Sequence, residues 1–295
     1  MTLLWRVWQR QSGDNIGIVA SGVAYYALLS LFPALAALVS LYGLGADPAG
    51  VEAQVDQFAG LLPPDILSML RTQAHTIAEA PGQGLSAGVA LGLLLTLWSA
   101  SRGVNALITA LNIAYGEEER RGFVVLALLS MGLTLGGLVF FILTVAMVAV
   151  VPAVLAFLPL DPQNTPMVAG LVALVRWPIL AVALGLALAV VYRFGPSRRM
   201  VRWRWITWGS ATATVLWLLG SISFSLYVSH FASYNETYGS VGAAVVLLLW
   251  MNLSAYAVLL GAELDAELEA GGTSMREHGN ANSAVEDGRK ISYKR

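Results

Sequence analysis

Three sets of side chains have the types and order that chemistry would require. The first is hydrolytic. Gly84 to Gly88 reads GLSAG, a G-x-S-x-G match centred on Ser86, and Asp161 and His230 follow in the chain order of a serine-hydrolase triad. That motif works only on a strand–turn–helix elbow. Here it opens a Gly/Ala-rich apolar segment, whose composition alone accounts for the match. The second set would serve a nuclease, which needs a metal cluster or an acid–base group facing nucleic acid. His75, His230 and His278 are scattered, with no His-x-x-His or paired-Asp motif, and no glycine-rich loop has phosphate-binding spacing. The chain has no cysteine, which excludes a thiolate metal site and a disulfide scaffold. The expectation is a protein that is not an enzyme, with no catalytic residues, no metal, no cofactor and no nucleic-acid partner.

The third set is polar and lies where apolar sequence should continue. Trp98, Arg102, Asn105, Thr109 and Asn112 recur at spacings of four and three, so they share one helix face. Lipid disfavours such a face. It must meet other helices, the headgroup layer or a water-filled vestibule. Arg102 follows an uncharged run from Gly82, about 17 residues of which suffice to span a bilayer. Two readings stand: Arg102 snorkels to the headgroups, or its face lines a passage. Farther on, Asn252, Tyr256 and Glu263 align on a second helix. Glu263 is followed by Asp265, Glu267 and Glu269 near a helix C-terminus, where carboxylates oppose the macrodipole and should find cationic partners or sit fully in water. Arg102 is the expected partner of Glu263. Arg176 beside Trp177 is either an outward anchor or a buried functional charge.

The elements that must position these residues are membrane spans. Of the 295 residues, 57% are hydrophobic and 12% charged, about half the charged share of a soluble domain. Six apolar runs can each cross about 30 Å of hydrocarbon: 16–44, 85–101 with a helical continuation, 123–158, 168–194, 205–231 and 241–260. Pro33 and Pro178 inside two of them, and Pro152 near the outer end of the third, suggest kinks. All Lys and Arg except Arg71 and Arg176 fall or lean to one side if the N-terminus is cytoplasmic. The positive-inside rule therefore gives N-in, C-in. The fold class is all-α, a polytopic membrane protein with six transmembrane helices in a domain over 1–270. An outer amphipathic helical hairpin (46–84) separates helices 1 and 2. Residues 271–295, rich in Gly, Ser, Asn and charge, are expected to form a disordered cytoplasmic tail. The stripe Ser210, Thr214, Ser221 and Ser225 reads as a close-packing face.

Four segments carry a resemblance. They are "VAYYALLSLFPAL" (23–35), "LWSASRGVNALITALNIAYG" (97–116), "VYRFGP" (191–196) and "SYNETYGSVGAAVVLLLWMNLSAYAVLLGAELDAE" (233–267). Together the chain resembles the YihY/virulence factor BrkB family over about residues 15–268. The resemblance implies a six-helix bacterial inner-membrane protein, and adds Tyr238 and Gly239 of its last motif to Arg176 as structural or anchoring candidates. It also brings suggestions of envelope integrity, serum resistance and lipid export, and a former ribonuclease label regarded as mistaken. Asp265 stands where that family more often has Asn, and Asn252 where it usually has an aromatic residue.

The functional expectation is a transporter or transport-assisting protein for an amphipathic envelope substrate such as lipid. Its cavity is expected between the second, fifth and sixth spans. Arg102, Asn105, Thr109, Asn112, Asn252, Tyr256 and Glu263 are the lining candidates. Membrane lipids, anionic ones included, are the expected partners, with a homo-oligomer or an envelope complex as further options. The alternative is a non-catalytic scaffold or regulator of the envelope; a membrane hydrolase or nuclease ranks last.

Overall fold

The computed structural model describes residues 3–43, 72, 87–150, 165–198, 206–230 and 242–270. Seven α-helices account for nearly all of them. α1 (Leu3–Gly13) is a short N-terminal helix, and α2 (Ile16–Gly43), α3 (Ala87–Tyr115) and α4 (Phe123–Val145) follow. α4 passes into a π-helical turn, Ala146–Val150. Then come α5 (Thr165–Phe194), α6 (Trp208–His230) and α7 (Gly242–Ala270). Six of these helices, α2 to α7, are long and apolar enough to cross a membrane. Their outward faces carry large apolar side chains such as Phe123, Leu128, Leu174, Leu219 and Leu226, all well exposed. In a bilayer those faces meet lipid tails.

Most of the hairpin segment 46–84, Pro152, Tyr238, Gly239 and the tail 271–295 lie outside the described residues, as do Ser86 and Asp161. Pro33 and Pro178 sit inside α2 and α5, each of which is one continuous helix.

The packed core gathers at one end of the bundle. It comprises Ile16, Ala20 and Val23 of α2, Ala110, Leu111, Ala114 and Tyr115 of α3, and Leu188 and Tyr192 of α5. Ala213 of α6 and Ala255, Leu259, Ala262 and Ala266 of α7 complete it. Half are alanines. Between helices in lipid, small side chains let backbones approach, and van der Waals contact then does the stabilising. The closest approach is between Gly209 of α6 and Gly261 of α7. A Cβ on Gly261 would stand 2.5 Å from the Gly209 carbonyl oxygen and 2.6 Å from the Tyr192 hydroxyl. Gly103 plays the same part between α3 and α2, facing Ala27 and Ser30.

This end also carries the arginines: Arg6 and Arg10 of α1, Arg120 and Arg121 between α3 and α4, and Arg193 and Arg198 at the close of α5. By the positive-inside rule it is the cytoplasmic end.

Local signals fix the helix ends there. Asn15, at φ +51°, makes the left-handed corner between α1 and α2; Asn is among the few residues that take this conformation readily. α3 closes on Gly116 at φ +65°. The Gly116 N–H donates to Ile113 O and the Glu117 N–H to Asn112 O, the paired bonds of a Schellman cap. α6 opens with a reciprocal cap: Ser210 N–H donates to Thr207 Oγ1 and Thr207 N–H to Ser210 Oγ, both 3.0 Å.

Candidate functional site: a groove between α2 and α3 above a cytoplasmic ionic knot

α3 runs unbroken through Arg102 to Tyr115, 29 residues or about 43 Å. By hydropathy alone the apolar part of this span ends at Ser101, which puts Arg102 at the boundary. In the structure Arg102 stands 13 residues before the C-terminal Tyr115 of α3, about 20 Å along the axis. Its neighbour Gly103 packs on Ala27 and Ser30, midway along the first span. Hydropathy marks a boundary at the first charge. The helix itself continues because Ala100, Ser101 and Gly103 are buried small residues that admit α2.

Arg102 is exposed and lies over the Trp98 ring, 4.5 Å from its centroid, a cation–π contact. Among the described residues it has no carboxylate partner. It opens onto a groove of about 490 Å³ between α2 and α3. Val19, Gly22, Val23 and Tyr26 form the α2 wall; Arg102, Asn105, Ala106, Thr109, Ala110 and Ile113 form the α3 wall. Three members of the predicted polar stripe, Arg102, Asn105 and Thr109, therefore do share one lined space. Its walls are the first and second spans, whereas the sequence reading placed the cavity between the second, fifth and sixth.

The other candidates are spent on joining helices. Asn112 is 5% exposed and bridges two loops. Its Nδ2 donates to Glu119 Oε2 at 3.0 Å, and its Oδ1 accepts the Ser197 N–H at 2.7 Å. Glu119 in turn receives Arg121 through Nε at 2.8 Å and Nη2 at 2.7 Å, a two-pronged pair. The same guanidinium donates to the carbonyls of Phe194 and Gly195, which α5 leaves without helical partners. Hydrogen bonds from Arg121, assisted by the Asn112 amide, pull the Glu119 carboxyl down to about 2 against an ordinary 4.5. Arg198 finishes the closure. It donates to Glu269 and to Tyr192 O, each at 2.6 Å, and lies 3.9 Å over the Tyr115 ring.

On α7 the aligned residues Asn252, Tyr256 and Glu263 face α1 and α2. Asn252 Nδ2 donates to Ser21 Oγ at 2.8 Å, and Gln11 Nε2 donates to the Tyr256 hydroxyl at 2.5 Å. Glu263 has no exposure, and its cation is Arg10, whose Nε lies 3.1 Å away, instead of the expected Arg102. Arg10 also reaches Glu267 at 3.4 Å and Asp14 at 3.9 Å, and Arg6 reaches Glu267 at 3.8 Å. The sequence does hold a signal for this pairing. Arg6 and Arg10 are four apart, as are Glu263 and Glu267, so each helix shows one charged face of opposite sign.

Asp265, two residues on, turns to α6 and accepts the Gly209 N–H at 2.7 Å. A carboxylate at the start of a helix suits the positive end of its dipole. Beside it, the buried Tyr192 hydroxyl donates to Val258 O at 2.5 Å. On the serine stripe of α6, Ser210 and Thr214 are buried, and Ser221 accepts from Trp250 at 3.4 Å, as a packing face requires; Ser225 is exposed. Arg176 of α5 donates to Val148 O at 3.2 Å, within the π turn, and lies 5.4 Å from the Trp177 centroid. No group of three His, Cys, Asp or Glu among the described residues is arranged to hold a metal ion.

Six apolar spans closed by an ionic knot at one end define a multi-pass α-helical membrane protein. The profile described as "Virulence factor BrkB" matches residues 7–285, and the chain belongs to that family. The ribonuclease-like protein YfkH of Bacillus subtilis (strain 168) is 33% identical over 270 residues, covering 91% of this chain and 95% of its own. UPF0761 membrane protein IL2447 of Idiomarina loihiensis is 27% identical, covering 88% of each chain. UPF0761 membrane protein PSHAa0171 of Pseudoalteromonas translucida is 29% identical, over 86% of this chain and 81% of its own. No solved structure matches. With bacterial membrane proteins as relatives and six apolar spans, the chain is a multi-pass bacterial membrane protein. Residues of three segments distant in sequence meet at this end: Tyr115 packs edge-on against Tyr192, whose hydroxyl donates to Val258 O and stands beside Gly261.

Proposed function

We propose that this protein is a non-enzymatic transporter, or transport-assisting protein, for an amphipathic envelope substrate such as lipid, and that the α2–α3 groove takes the substrate. One observation carries the reading: an exposed guanidinium with no carboxylate partner among the described residues stands about 20 Å from the end of its helix, inside an open apolar groove. A charge at that depth is costly and needs either water or an anion. Val19, Val23, Ala106 and Ile113 offer contact to an acyl chain, while Arg102, Asn105 and Thr109 offer donors to a headgroup. The volume of about 490 Å³ suits a headgroup with the start of its chains rather than a whole lipid. The substrate would thus slide along the groove with its tails in the bilayer. With no nucleotide-binding motif in the sequence, movement would be gradient-driven or facilitated.

The test is redistribution of a labelled anionic phospholipid between leaflets of liposomes holding the purified protein. Transfer is expected with the natural chain, is expected to fall at least tenfold in Arg102→Ala, and should recover in part in Arg102→Lys, which keeps the charge but not the planar fork. Equal transfer by Arg102→Ala would remove the groove from the mechanism. No transfer by any variant would favour a scaffolding role.

A further inference from the structure

Two buried carboxylates lie two residues apart on α7 and are treated differently. Asp265 has a backbone N–H directed at it. Glu263 is fully buried, and neither of its oxygens receives a hydrogen bond. The Arg10 Nε is 3.1 Å from Oε2, yet its N–H is not aligned to donate, so the contact is a bare ion pair. The Asp14 carboxyl, in the corner between α1 and α2, faces the same cation: its Oδ2 lies 3.9 Å from the Arg10 Nε that stands 3.1 Å from Glu263 Oε2. Two carboxylates can hydrogen-bond to each other only if one carries a proton. Where one of two carboxyls crowded on a single cation is out of water, holding one proton between them spares a buried charge.

The charge census around them points the same way. α1 and its corner supply Arg6, Arg10 and Asp14; α7 supplies Glu263 and Glu267. Three carboxylates against two guanidinium groups leave one negative charge over, and Glu263, the most deeply buried, is the least hydrated of the three. The remaining neighbours do not balance it. The α2 and α3 residues in this core, Ile16, Ala20, Ala110 and Leu111, are apolar. The ionisable groups of that core turn elsewhere: Tyr115 lies under Arg198, Tyr192 bonds Val258 O, and Asp265 bonds Gly209.

We propose that Asp14 and Glu263 form a proton-sharing carboxyl pair that fastens α1 to α7. With one proton bound the five-residue cluster is neutral and α1 stays docked. When the proton leaves to the cytoplasm, three carboxylates crowd Arg10, and the seam between α1 and α7 opens. The inference stands apart from the lipid reading, since it concerns a different end of the molecule and a different ligand, the proton.

Infrared difference spectroscopy of the purified full chain tests it. At pH 7 one carboxylic-acid carbonyl band per chain is expected. It should vanish in Glu263→Gln, and in Asp14→Asn, where the amide donates to an ionised Glu263; it should persist in Glu269→Gln. Asp14 is partly exposed, so Asp14→Asn keeps the test sound if Glu263→Gln folds poorly. Because the chain lacks cysteine, a spin label at Gln9→Cys reports on α1 alone. Its mobility should rise as pH is raised through the loss of the band, and should stay low at every pH in Glu263→Gln. A neutral-pH chain without the band, a band surviving both Glu263→Gln and Asp14→Asn, or a label indifferent to pH would each overturn the proposal.

Discussion

Adding one methyl group at Gly261 tests the seam between α6 and α7. The new carbon would meet Gly209 O at 2.5 Å, the Tyr192 hydroxyl at 2.6 Å and the Ala213 Cβ at 2.7 Å. Two of these are on or next to the backbone and cannot swing aside. Relief must come from separating the helices, which lengthens the Tyr192 to Val258 hydrogen bond and moves Asp265 from the start of α6. Overpacking of this kind costs about 1–3 kcal/mol. Replacing Gly by Ala also favours the helix intrinsically by roughly 1 kcal/mol, which would mask part of the damage. Gly136 of α4 supplies the correction, since a Cβ there meets nothing within 4 Å. Both variants share the intrinsic gain, so their difference isolates the steric cost. At about 2–4 °C per kcal/mol for a chain of this size, Gly261→Ala should melt roughly 2–12 °C below Gly136→Ala in detergent. Equal melting temperatures would refute the close contact between Gly209 and Gly261.

Three further outcomes follow from the cytoplasmic end. Glu119 has its carboxyl lowered from 4.5 to about 2, so its clasp on Arg121 contributes fully above about pH 4.5 and is lost as pH falls through about 2; melting curves over that window should flatten in Glu119→Gln. Asn112→Ala leaves the Ser197 N–H without its acceptor and should cost about 1–3 kcal/mol; denaturation at the level of the natural chain would contradict the bridging role. Glu118, exposed on the α3–α4 loop, gives the orientation: as Glu118→Cys it should react with an impermeant thiol reagent only after permeabilisation, and labelling of intact cells would reverse the topology.

The spans were legible because insertion depends on summed apolarity, which each segment carries alone. Their ends were less so. In the sequence Arg102 marks an exit because a hydropathy window stops at a charge, while helix continuation past it depends on Gly103 meeting Ala27 and Ser30 of another helix. Pairing was the hardest to read. Glu263 plainly needed a cation, but the choice of Arg10 over Arg102 turns on the rotation of α7 about its own axis. Asn112 sat on the predicted polar face yet serves loops, since α3 has already reached its Schellman turn there and the lining has ended. The capping of α6 by Asp265, a residue of another helix, has no local pattern to reveal it.

The placement of the partners on α7 has a consequence for biogenesis. This helix is synthesised after the other five spans, yet it bears contacts for α1, α2, α5 and α6. Until it enters the membrane, Arg10 has no buried counterion, Tyr192 has no carbonyl to cap, and Gly209 presents a bare notch. A nascent chain halted before residue 242 would therefore expose polar gaps that a membrane protease can recognise. Integration of α7 fills all of them together, so the sixth span closes contacts that the first five leave open.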